Sequence, residues 1–302
     1  MNYVFPRDDL TGNRLALTAP ADMEVVAVGH YIPPGAPTVE QGYVPDWVLL
    51  IDLGCGLHIE LYHVKDVTDS IKAAMFDTAI TDKSGYLQLK HKVKIPAGEV
   101  FGAYTKGLNS GAFDFILRSD SVTNQFGNQA RYQAGPSNLL HVVCPYDLFQ
   151  GATKSAYDAL LGTVSGIPIA GADCGTVERD VAGTPSGQWF FDSVFALNAL
   201  SPNRKEGFYG DPLPIVLGPD STVYIGHTGP TNNIRIDHSN SSWKDPRTIT
   251  TGWCYQLYSS PSAPEGWLWL KMETSAKMNV AYGDNGTCPE TFPDSGFKTY
   301  YR

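Results

Sequence analysis

Apolar residues in this chain never run longer than a β-strand. The longest patches, Trp47 to Ile51 and Leu139 to Cys144, are strand-sized, and none approaches the roughly 18 residues of a membrane helix. Thirty glycines and 21 prolines punctuate 302 residues, and 12% are aromatic. That pattern points to many short strands and turns rather than a helical bundle. Hydrophobic residues reach 42%, enough for a core, and the length suits two domains.

The formal charge is −9. An acidic chain is poorly matched to phosphate backbones, so no nucleic-acid partner is expected. The first nine residues, Met1 to Asp9, are not an apolar leader, so a trimmed mature chain is expected. Cys55, Cys144, Cys174, Cys254 and Cys288 form no C-x-x-C pair, which argues against a zinc finger or ribbon. Two disulfides and one buried thiol are expected, with Cys254 and Cys288 as the favoured pair. Asn240-Ser241-Ser242 and Asn285-Gly286-Thr287 match the glycosylation pattern. Together these features suggest an extracellular or cell-envelope protein.

Leu57 to Val64 alternates apolar and polar residues, the period of a half-buried strand. Gly54-Cys55-Gly56 before it reads as a turn between strands. Val67, Ile71, Ala74 and Met75 follow helical spacing, with Asp66 or Thr68 as cap. Leu148, Ala152, Ala156 and Leu160 recur every four residues after Pro145 and before Gly162, which predicts one helix over 145–161. The expected division is a first β domain over 1–162, a small Gly-rich linker over 163–172, and a second β-rich domain over 173–302. The second domain is expected to be a sandwich or barrel.

There is no G-x-S-x-G, H-E-x-x-H or P-loop. His58 and Glu60 lie two apart, so a strand sets both on one face as possible metal ligands. Strict alternation turns His63 to the other face, among Leu57, Ile59 and Leu61. Asp8, Asp9, Asp52, Glu60, Asp114 and Asp147 are candidate acid–base carboxylates, though no spacing fixes a pair. Asp114 lies between Phe113 and Phe115, where a carboxylate needs either a polar face or a partner. In the second domain Trp253, Tyr255, Trp267 and Trp269 can either stack on sugar rings or fill a core; Trp267 and Trp269 share a face.

Ala19-Pro20 precedes Val25 to Gly29; Val48 to Ile51 and Tyr62-His63-Val64 follow; then come Val93 to Gly102 and Ala112 to Phe115. The order of these short motifs resembles the lysostaphin-type zinc endopeptidases. The resemblance covers about residues 12–118 and implies an antiparallel β fold in which His63 stands at a catalytic position and Asp114 at a zinc-ligand position. It departs from the family at Ala112, where a catalytic histidine is expected. It departs again at Gly12 and Ala16, where an upstream ligand pair belongs, and at Asp22, which replaces a turn glycine.

The resulting expectation is a secreted noncatalytic module that keeps a peptidase-like fold and binds extracellular glycan or peptide, with no cofactor. The alternative is a hydrolase with a relocated metal or acid–base site, holding zinc or another divalent metal. It would be built from His58, Glu60, His63 and Asp114, with His141 and Asp147 at the edge. A structural envelope or filament component is the third reading.

Overall fold

The computed structural model describes residues 2–4, 14–31, 46–76, 85–105, 113–134, 137–162, 167–172, 174, 179–190, 212–226, 234–260, 263–284 and 286–302. Asp8, Asp9, Gly12, Ala112, Asn285 and the linker residues 163–166 lie outside these. The protein is mainly β, with antiparallel sheets throughout.

The first part of the chain supplies β1 (Asn2–Val4), β2 (Arg14–Thr18), β3 (Met23–Tyr31), β4 (Asp46–Gly54), β5 (Leu57–Val64), β6 (Asp66–Val67) and helix α1 (Asp69–Ala74). Then follow β7 (Gly85–Leu87), β8 (Val93–Ile95), β9 (Val100–Thr105), β10 (Phe113–Ser119) and, after helix α2 (Gln129–Ala134), β11 (Val142–Val143). One sheet runs β1-β10-β5-β4-β3-β7, with β8 also on β3 and β11 on β10; a smaller sheet runs β2-β9-β6. Gly54, Cys55 and Gly56 all adopt positive φ (79°, 53° and 73°), which closes the β4–β5 hairpin at the expected turn. Val25, Val28, Leu49, Ile51, Ile59, Leu61 and Leu117 point into one core, packed with Phe101 and Tyr104 of β9 and Ile71 of α1.

The predicted 145–161 helix is broken. Pro145–Leu148 forms a 3-10 turn and α3 spans Gly151–Asp158. Phe149 between them is extended, and Gly151 takes φ +56°. Leu148 and Leu160 are exposed and α3 buries no residue. The four-residue apolar spacing there reflects no packed stripe, and the Tyr157 ring stacks with those of Tyr146 and Phe149 instead.

The remaining strands are β12 (Gly187–Phe190), β13 (Pro212–Leu217), β14 (Val223–Ile225), β15 (Ile234–Ile236), β16 (Gly252–Ser260), β17 (Ala263–Thr274), β18 (Lys277–Gly283) and β19 (Lys298–Tyr301). Their order is β15-β14-β13-β12-β19-β18-β17-β16. The end strands β15 and β16 approach each other, so this sheet is nearly closed and barrel-like. Trp189, Leu213, Ile215, Tyr255, Leu268 and Leu270 are wholly buried inside it.

The division of the chain is not a single cut. One compact unit comprises 1–123, 141–157 and 164–166, and the other comprises 124–140, 158–163 and 167–302. Phe126, Tyr132 and Leu140 pack with Phe190 in the second unit. Of the Gly-rich stretch, Gly162 bridges Pro168, and Ile169 N–H donates to Leu161 O.

Cys254 and Cys288 are bonded, with Cα atoms 6.0 Å apart. Cys144 and Cys174 are also in disulfide linkage. The free thiol is Cys55, and it is exposed at the hairpin tip rather than buried as expected. No helix among the described residues is long and apolar enough to cross a membrane.

Candidate functional site

His63 does not obey the strand alternation. Trp47 pairs with Val64 and Leu49 with Leu61, so Tyr62 and His63 together oppose one residue of β4. His63 takes φ +64°, a left-handed conformation that costs a non-glycine residue free energy and marks a β-bulge. The bulge removes His63 from the Leu57, Ile59 and Leu61 row. It turns the imidazole toward the face opposite the core, where Asp114 pairs in register with Tyr62.

There His63 Nδ1 lies 2.6 Å from Asp46 Oδ2, and its Nε2 lies 3.9 Å from Asp114 Oδ2. Asp46 has no exposed surface, and its other oxygen accepts from Lys65 Nζ, itself buried. An imidazole facing a carboxylate oxygen at this distance donates its N–H, so Asp46 fixes the ring's orientation and leaves Nε2 toward Asp114. Asp114 is 7% exposed, and its Oδ1 is buried with no hydrogen-bond partner among the described residues. Burial holds its carboxyl above the usual aspartate range, against the opposing pull of His63. Burial and the charge of Asp46 likewise raise the Tyr104 phenol.

The other sequence candidates are engaged elsewhere. His58 Nε2 lies 3.3 Å from Asp120 Oδ2, at the far end of β5. Glu60 is buried; Tyr62 Oη donates to its Oε1, and Arg118 Nη2 lies 3.7 Å from its Oε2. Asp52 accepts from Gly54 N–H, His141 Nδ1 donates to Val122 O, and Asp147 pairs with Lys154. His63 and Asp114 come together, while His58 and Glu60 do not join them. Among the described residues no three His, Cys, Asp or Glu side chains are grouped to hold a metal ion. Asp46 and Lys65 escaped sequence reading. The alternation Asp46-Trp47 and Val64-Lys65 was the available signal, since a charge flanking a core residue faces away from it.

A second arrangement lies on the outer face of β17. Trp267 and Trp269 share that face as expected, and both are half-buried. The Trp267 indole lies against Gly283, its register partner on β18. A Cβ on Gly283 would fall 2.4–2.6 Å from Cε2, Nε1 and Cζ2, so the ring sits face-on to the strand. Trp269 leans over Gly252, donates from Nε1 to Pro289 O at 3.2 Å, and meets Phe292 edge-on at 5.9 Å. Gln256 ties down residues 286–288, donating to Gly286 O and accepting from Cys288 N–H. Trp253 and Tyr255 face the other way. Tyr255 is wholly buried and donates to Lys244 O, and Trp253 packs on the core beneath Lys244 Nζ. Tyr255 therefore presents no ring face to a ligand. Asn240, in the first glycosylation pattern, commits its amide nitrogen to Gln256 O and its oxygen to Ser242.

No family model, curated protein or solved structure matches this chain.

Proposed function

We propose that this protein is an extracellular binding module for glycan or peptide, with a first unit that keeps a lysostaphin-peptidase-like sheet without its catalysis. The observation that carries the reading is the Trp267–Trp269 row. Glycine at 283 and at 252 leaves both indoles room against the sheet on the face turned from the core, where each keeps part of its surface accessible. Two disulfides support an oxidising compartment. The test is co-sedimentation with insoluble cell-wall glycan and with its peptide-bearing form. Retention of the wild type, and its loss in a folded Trp267→Ala variant, is the expected result. Equal retention of both chains overturns it.

A hydrolytic second reading has an observation of its own, the Asp46–His63–Asp114 alignment on a left-handed backbone. It requires turnover of cell-wall peptide fragments that disappears in a folded His63→Ala variant. Absence of turnover in the wild type removes it.

A further inference from the structure

The outer face of β17 carries more than its two indoles. Trp267, Trp269, Lys271 and Glu273 follow at every second residue, about 6.8 Å apart for antiparallel strand geometry. Lys271 Nζ lies 3.2 Å from Glu273 Oε1 and 5.3 Å from the Phe292 ring centroid. Glu273 Oε1 also accepts from Asn279 Nδ2, whose Oδ1 accepts from Thr299 Oγ1 at 2.8 Å. A stacking surface thus continues into a strip of polar groups whose orientations are already fixed.

Resting on the binding reading above, we infer that the occupant of this face is a neutral oligosaccharide, with sugar rings on Trp267 and Trp269 and hydroxyls read by Lys271 and Glu273. Three observations on this face carry it. First, β17 is hydrogen-bonded to β16 on one side and β18 on the other along this stretch. A peptide that binds as an added strand needs an open sheet edge, and this stretch of β17 offers none. Second, the face-on indole at Gly283 rewards a flat, ring-shaped partner. Third, the charges of Lys271 and Glu273 cancel within the strip, so neither an acidic nor a basic polymer is favoured. What remains is a mixture of donors and acceptors, which suits hydroxyls because each is both.

The experiment is titration calorimetry of the full chain with hexasaccharides of glucose and of N-acetylglucosamine, a hexagalacturonate, and an uncharged hexapeptide. Trp267→Ala and Gly283→Ala are titrated alongside, each checked by near-UV circular dichroism. Gly283→Ala keeps the indole but displaces it, so it separates ring position from ring loss. Binding of a neutral hexasaccharide that weakens at least tenfold in both variants is the expected result. Binding confined to hexagalacturonate or the peptide, with the same Trp267 dependence, overturns the neutral-sugar inference and leaves the binding module standing. No binding of any probe, or binding indifferent to Trp267, overturns both.

Discussion

Asp46 holds His63 by its Nδ1 at 2.6 Å from a position with no exposed surface, and Lys65 compensates its charge from the other side. A buried carboxylate with two cationic or donor partners is tolerable only while both remain. Lys65→Met is therefore expected to destabilise the protein by roughly 3–5 kcal/mol, since it strands a buried charge. Asp46→Leu with Lys65→Met removes both charges and is expected to recover most of that loss. Urea unfolding of the single and double variants checks it. Similar losses in both would mean that packing around the pair, rather than the charge, carries the stability.

Asp114 has a carboxyl raised by burial, so the folded state binds its proton more tightly than the unfolded chain does. Its contribution is favourable at low pH and is lost as pH rises from the ordinary aspartate value through the raised one. Asp114→Asn keeps the shape and removes the charge. Relative to wild type, the variant should gain stability across that window and plateau above it. Unfolding midpoints measured from pH 3 to pH 8 test this; a variant that instead loses stability as pH rises would show that the ionised carboxylate is stabilising.

The Cys254–Cys288 bond closes a loop with a sequence separation of 34. Chain entropy assigns such a cross-link about 3–4 kcal/mol. Cys254→Ala with Cys288→Ala should lower stability by that order and loosen the segment that Gln256 ties through Gly286 and Cys288. Hydrogen exchange should then rise at residues 286–288 before it rises in β17. Uniform protection in the variant would show that the hydrogen bonds alone hold the segment.

Arg302 is the buried hub of the second unit. Its guanidinium lies 4.2 Å from the Trp189 ring centroid and donates to the carbonyls of Val181, Thr184 and Ser186, with Nε 3.4 Å from Asp180 Oδ1. Burial lowers its pKa against the opposing pull of Asp180. Arg302→Ala leaves Asp180 without this cation and takes the guanidinium from three carbonyls, although Val181 O still accepts from Thr184 and Ser186 O from Val181 N–H. A loss of about 3–5 kcal/mol is expected. Arg302→Lys should recover only part, because one ammonium cannot span the same carbonyls. Thermal unfolding distinguishes them.

What the sequence determined by itself is what depends on near neighbours. Alternation placed Trp267 and Trp269 on one face, Gly54-Cys55-Gly56 made a turn because glycine accepts positive φ, and punctuation by glycine and proline made the protein mainly β. Cys254 and Cys288 both fall in the last β-rich stretch, Cys254 in β16 and Cys288 after β18, and they are bonded. Tertiary structure decided the rest. A single bulge against β4 turned His63 from the core row to Asp46 and Asp114, and local periodicity carries no trace of such a register shift. The neighbours of a side chain across the sheet, 17 residues away for Asp46 and 51 for Asp114, are set by strand order (63−46 and 114−63). The same holds for Tyr255, whose aromatic ring suits a platform and a core equally. Only the closing of the second sheet, with its inner face sealed from water, placed that ring inside.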